Sequence, residues 1–237
     1  MDGIQNLMHL GWAGRPLQPA LWLQQLWLYG GWAVVLAWAL SALVLVAQRL
    51  GAPRARAWQR VWGCALLAVS LAGLPGVVSP VYWWGLAFQY PSAVLVLWCA
   101  VDLLWQGVAA GWGETASDDT AWQRREPTWA QYALVALAAG WGWVLALDSF
   151  ALWPVAVYPW GVGPIALAWV LVAVAALWIG MGSTRMVLVL CLSLLLYVLL
   201  RLPTGNVWDA LLDPWLCLGL HGVLVRALWR YFKRKSA

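Results

Sequence analysis

Charge is what this sequence has least of: Lys, Arg, Asp and Glu together make up 10% of its 237 residues. A soluble domain carries about 25% charged side chains, so this chain cannot clothe itself in polar groups and its expected solvent is lipid. Lysine is confined to Lys233 and Lys235. A retinal Schiff base needs a lysine inside the membrane, which excludes that chemistry. Histidine occurs only as His9 and His221, so a bis-histidine haem would have to join a tail residue to one deep in an apolar run. The cysteines Cys64, Cys99, Cys191 and Cys217 fall in four separate runs, with no Cys-x-x-Cys pair. They offer no metal-ligand spacing or disulfide framework and read as small buried hydrophobes. No cofactor and no metal are expected. Long polar stretches are missing too: only 113–127 (GETASDDTAWQRREP) reads as an aqueous loop. Any chemistry would therefore have to happen inside the apolar part or at its rims.

What is there is 64% hydrophobic residues, 23 Trp and a net charge of +5. The excess cations do not make a nucleic-acid surface, because they punctuate apolar runs instead of lining one face. A spanning helix needs about 20 mostly apolar residues. Runs at about 26–48, 61–79, 92–112, 128–147 and 163–182 meet that length, and shorter ones follow at about 186–202 and 208–228. Pro75, Gly76, Pro80 and Pro91 divide the second run from the third, and Pro154, Pro159 and Pro164 set off the fifth. The segments 49–60, 113–127 and 183–185 and the tail from Arg226 hold 12 of the 14 Lys and Arg; only Arg15 and Arg201 fall on the opposite side. By the positive-inside rule the N-terminus is outside and the C-terminus inside.

The fold class expected is all-α, a polytopic transmembrane bundle of about seven spans. Residues 1–25 form an outer tail or interfacial segment, 26–230 one membrane domain and 231–237 a basic cytoplasmic tail. The bacterial cytoplasmic (inner) membrane is the expected location. No secretory signal is read at the start, which lacks a basic region and a small-residue cleavage site. Leu17–Leu28 is expected as an interfacial turn of helix, with a bend at Gly30-Gly31. The last run has only 12 residues between Asp213 and Arg226, so it either tilts with snorkelling arginines or forms a re-entrant hairpin.

Asp102 is the sharpest candidate, since a carboxylate inside an apolar run normally faces a cavity or a partner. The competing reading ties it to a neighbouring Trp, Ser or Arg. Asp209, Asp213, Cys217 and His221 recur every four residues, so neighbours share a helix face. Asp213 and His221 could be stations of a proton path; alternatively Asp209 and Asp213 favour a helix N-terminus and His221 bonds across a close helix contact. Gly180-Met181-Gly182-Ser183 resembles a nucleophile turn only superficially, because it lies at the inner rim and His221 lies deeper.

The segments 73–92 and 149–164 contain no Lys, Arg, Asp or Glu and are rich in aromatics. Tyr82, Trp83, Trp84, Trp153, Tyr158 and Trp160 are the interfacial or docking candidates there. Such segments lie among lipid headgroups, fold back on the bundle, or meet another integral membrane subunit. Fifteen Trp read as two belts: Trp22, Trp27, Trp83, Trp84, Trp153, Trp160, Trp208 and Trp215 outside, and Trp58, Trp62, Trp112, Trp122, Trp129, Trp178 and Trp229 inside. Trp38, Trp98, Trp143 and Trp169 are expected between helices. Small residues at Gly107-x-x-x-Gly111, Ala136, Gly140 and Gly142 are close-packing signals. Ala57–Arg60 and Ala121–Arg124 both read AWQR, and Tyr82–Gly85 and Tyr158–Gly161 both read Tyr-x-Trp-Gly, the marks of a candidate two-helix repeat.

Two functions follow. The first is a non-enzymatic subunit or assembly factor of a larger membrane complex, with the lipid bilayer and other integral subunits as partners. The second is a small permease or carrier of lipids or hydrophobic solutes, with Asp102 in its path.

Overall fold

The structure, a computed structural model, describes residues 18–53, 55–111, 128–152, 154–181 and 184–235. Among the described residues it is all-helical, with nine α-helices and no strand. They are α1 (Leu21–Arg49), α2 (Ala57–Ala72), α3 (Pro80–Phe88), α4 (Ala93–Gly111), α5 (Trp129–Ser149), α6 (Pro164–Met181), α7 (Thr184–Leu200), α8 (Val207–Leu211) and α9 (Pro214–Lys235). Two 3-10 turns, Gly76–Val78 and Tyr158–Val162, precede α3 and α6. Two of the helices, α1 and α5, are long and apolar enough to cross a membrane. Only 28% of the apolar window of α1 and 11% of that of α5 is buried by protein. A helix at the core of a soluble domain would be covered on most sides. Shorter apolar helices occupy Ala93–Gly107, Ala166–Ala175 and Arg185–Leu200.

The described residues group into two compact units, the first within 20–91 and 95–111, the second within 18–19, 92–94 and 128–235. In the first unit α1 and α2 pack side by side. Ala33, Ala37 and Ser41 recur every four residues on the buried face of α1, and Val61, Ala68 and Ala72 are buried on α2. Ala33 and Ala72 join one core cluster with Trp32 and Val81; Ala37, Val61 and Ala68 join another with Leu103. Small side chains let the two backbones approach and gain contact along their length.

The α1–α2 connection is set by its end signals. Gly51 takes φ +105°, its N–H bonds the Gln48 carbonyl at 3.3 Å, and the Ala52 N–H bonds the Ala47 carbonyl at 3.0 Å. That is a Schellman ending, in which glycine supplies the left-handed residue, and Pro53 then blocks further helix. The segment 73–92 is also ordered by caps. Ser79 Oγ accepts from the Val81 N–H and donates to the Ala72 carbonyl, each at 3.2 Å. Pro80 supplies the first helical position of α3.

In the second unit α5 and α9 lie close. A Cβ on Gly142 would fall on Cys217 Sγ, so only glycine admits this approach. Tyr197 is fully buried on α7, with its hydroxyl 3.3 Å from the Gly161 carbonyl and 3.4 Å from that of Gly205. Trp141 and Trp208 meet edge to face at 5.2 Å.

Several expectations change. No bend forms at Gly30-Gly31: α1 is continuous through both, and Gly31 instead takes a close neighbour, since a Cβ there would lie 2.8 Å from Pro91 Cγ. The last run is broken at Leu212–Asp213, where Pro214 starts a new helix of 22 residues that continues past Arg226 and Arg230. Trp208, one of the outer-belt candidates, is buried, packed on Trp141 and Gly161. Trp98, Trp143 and Trp169 are exposed at 39%, 59% and 69%, so these three are not enclosed between helices. Cys64 and Cys99 are buried, but Cys191 is exposed and Cys217 only half-buried. Gly107 makes no close approach, since a Cβ there would meet Val61 Cγ1 at an ordinary 3.9 Å. The two Tyr-x-Trp-Gly segments differ in conformation, one inside α3 and the other in a 3-10 turn. Residues 1–17, the loop 112–127, Arg54, Trp153, Gly182, Ser183 and 236–237 lie outside the described residues.

Candidate functional site

Asp102 sits in the middle of α4, half-buried within the first unit. Its Oδ2 accepts from the Trp38 indole N–H of α1 and from the Gln106 amide, each at 2.9 Å. Gln106 lies one turn further along α4, the spacing at which side chains on a helix meet. Its Oε1 accepts from Arg60 Nη2 at 3.2 Å and from Ser41 Oγ at 3.4 Å. Arg60 Nε also donates to Ser41 Oγ at 3.2 Å. A relay thus runs from the Arg60 guanidinium through Ser41 and Gln106 to the carboxylate, and it ties α1, α2 and α4. Asp102 thus counts an indole and an amide among its partners, and Arg60 bonds the oxygen of that same amide. The amide of Gln106 faces both ways, its N–H₂ toward Asp102 and its oxygen toward Arg60 and Ser41.

The second unit holds a different cluster, around Tyr158. Asp148, at the end of α5, accepts from the Val157 N–H at 2.9 Å and the Tyr158 N–H at 2.6 Å. Asn206 Nδ2 donates to the Tyr158 carbonyl at 3.0 Å, and the Tyr158 hydroxyl donates to Asp209 Oδ2 at 2.5 Å. Thr204 Oγ1 also bonds that oxygen. Tyr158 is thus held at its N–H, its carbonyl and its hydroxyl, although 36% of the residue stays exposed. Asn206 Oδ1 caps α8 through the Trp208 N–H at 2.9 Å. Gly161 passes so near that a Cβ would fall on Asn206 Oδ1 and the Trp208 ring. Asp209 lies in short α8, ahead of the long final helix. Burial pushes its carboxyl above the ordinary value, opposed by the Thr204 and Tyr158 hydroxyls. Burial, and then the neighbouring Asp209, raise the Tyr158 phenol.

Asp213 is the N-cap of α9: Oδ1 accepts from the Leu216 N–H, three residues on, at 2.7 Å. Its Oδ2 accepts from the buried Ser92 N–H, also at 2.7 Å. Eight residues later His221 Nδ1 lies 2.7 Å from the Cys217 carbonyl, and its Nε2 accepts from the Trp143 indole at 3.0 Å. That pattern assigns the proton to Nδ1 and engages both ring nitrogens. Asp213 and His221 thus take separate partners.

The aromatic candidates divide. Tyr82, Trp83 and Trp160 are exposed at 40%, 58% and 56%. Trp83 donates to the Val77 carbonyl at 2.8 Å. Trp84 turns inward onto Trp32, with ring centroids 5.2 Å apart, and Tyr158 is the anchor just described. The segment 73–92 is stitched to α1 by Trp27 to the Pro91 carbonyl at 2.9 Å, Trp32 to the Gln89 carbonyl at 3.2 Å and Tyr90 to Gln24 at 3.1 Å. Up to Pro91 it folds back on its own unit.

Sequence reasoning missed Trp38, Ser41, Arg60 and Gln106 as the companions of Asp102, and it missed Asp148, Thr204 and Asn206 altogether. The Asp102-x-x-x-Gln106 spacing was a readable signal. Asp148 was obscured by its place at the edge of an apolar run. Comparison with protein-family models, curated proteins and solved structures finds no match to this chain.

Proposed function

We propose that this chain is a multi-pass protein of the bacterial cytoplasmic membrane, with about seven spans, an outer N-terminus and an inner C-terminus, and that it serves as a non-enzymatic subunit or assembly factor of a larger membrane complex. In this reading the final span begins at Pro214, and the Tyr158 cluster lies outside the spans. Support comes from the distribution of Lys and Arg and from the length and apolar character of α1 and α5.

The observation that carries the subunit reading is a shallow, open groove along one face of α5, lined by Ala133, Ala136, Leu137, Gly140, Trp141 and Val144. These positions follow helical spacing, and Ala133, Ala136, Leu137 and Gly140 are exposed. Small residues on a lipid-facing helix allow a second helix to approach closely, and packing then drives association. The permease reading draws less support, because Asp102 is engaged by Trp38 and Gln106 as a tie between helices.

Extraction in mild detergent followed by native sizing and mass identification tests the proposal. The expected result is a species containing other integral polypeptides, lost when Ala136→Leu and Gly140→Leu together fill the groove while helicity is unchanged. A lone monomer or homodimer of the parent chain, or a complex indifferent to the filled groove, overturns it.

A further inference from the structure

We infer that the end of the first unit where Arg49 closes α1 and Arg56 opens α2 binds the headgroups of anionic phospholipids. The inference rests on the membrane reading proposed above and names the lipid class. Residues 49–60 (RLGAPRARAWQR) contain four arginines and no acid. The Schellman ending at Gly51 turns the chain back tightly. Arg49, the last residue of α1, and Arg56, which caps α2, therefore sit at the same end of the helix pair, and both are exposed. Arg60, one turn into α2, differs: its guanidinium is held inward by Ser41 and Gln106.

Beyond the arginines, α2 turns an apolar strip away from α1. Trp58, Trp62, Leu66, Leu67 and Val69 are exposed at 46%, 64%, 69%, 49% and 63%. Trp58 and Trp62 lie one turn apart at the head of this strip, where amphipathic rings favour the boundary between headgroups and acyl chains. Two exposed cations, then two exposed tryptophans, then aliphatic side chains match the order of a phospholipid from headgroup to tail. Charge selects the lipid: two exposed arginines in a segment with no acid of its own attract an anionic headgroup, each basic residue near the surface adding to the attraction.

The test is native mass spectrometry of the full chain in neutral detergent, titrated with phosphatidylglycerol or phosphatidylcholine. Phosphatidylglycerol is expected to bind more tightly. Arg49→Gln with Arg56→Gln should weaken it about fivefold per arginine while leaving phosphatidylcholine unchanged. Arg49→Lys with Arg56→Lys should retain the preference, and inorganic phosphate should not displace the lipid. Equal binding of the two lipids, an unaffected glutamine variant or a failed lysine variant overturns the inference. So does displacement by phosphate, or an equal loss from Lys233→Gln with Lys235→Gln, which would reveal an effect of net charge alone. Flotation with phosphatidylcholine vesicles separates the two levels: a chain that does not float at all defeats the membrane reading, whereas one that floats without lipid preference defeats only this inference.

Discussion

Asp102 and Asp209 show two ways of housing a carboxylate away from water. Asp102 is served by N–H donors from an indole and an amide, and Arg60 bonds the oxygen of that same amide. Asp209 is served by hydroxyls, and burial dominates: its proton is held more tightly in the folded chain than in the unfolded one. Because the folded pKa is raised, the folded state binds more protons over the window that opens at the ordinary value of 3.8. Stability must therefore be fullest below that value and fall as pH rises through the folded pKa. Melting of the purified chain from acid toward neutral pH should show this decline, and Asp209→Asn, which keeps an acceptor without titrating, should flatten it. A parent profile parallel to that of the variant would remove Asp209 as the cause. Tyr158, also raised, adds a decline of the same sign only in strong alkali.

Between elements, the controlling features are close approaches. The α5–α9 contact places Gly142 against Cys217, beside the bond from Trp143 to His221. Gly142→Ala should destabilise the second unit by about 1–3 kcal/mol, the usual cost of overpacking. Adding Cys217→Ala should recover much of that loss, because the sulfur is the atom displaced. A double-mutant cycle in detergent measures the coupling, and purely additive losses would show that the two residues do not share the contact. On α1 the equivalent role falls to Ala33, Ala37 and Ser41, which the sequence did not single out. The whole run 26–48 is apolar, so no periodic contrast marks its buried face. Gly107-x-x-x-Gly111 carries the small-residue spacing without a close approach at Gly107: such a motif says that a helix can be approached, not that it is.

For the whole molecule, the proposed topology makes a direct expectation. In a cysteine-free background, Val78→Cys should react with an impermeant maleimide on intact cells, whereas Ser236→Cys should react only after the membrane is opened. Labelling of Ser236→Cys from outside would overturn the inner C-terminus. The positions of the apolar helices were largely legible, because length and hydropathy are local properties of the chain. The Asp213 cap was legible for the same reason: an acid directly before a helix start meets nearby N–H groups. The break ahead of Pro214 was less so, since the apolar run continues across it.

What the sequence by itself determined is the apolar character of the chain, its helices and the distribution of its cations, all carried by composition and short-range spacing. Only the tertiary structure decided that Asp102 meets Trp38, 64 residues away, that His221 meets Trp143 across 78, and that Tyr158 meets Asp209 across 51. The physical reason is that a buried polar group must find a partner wherever the fold brings one, and its chain distance to that partner leaves no local pattern to read.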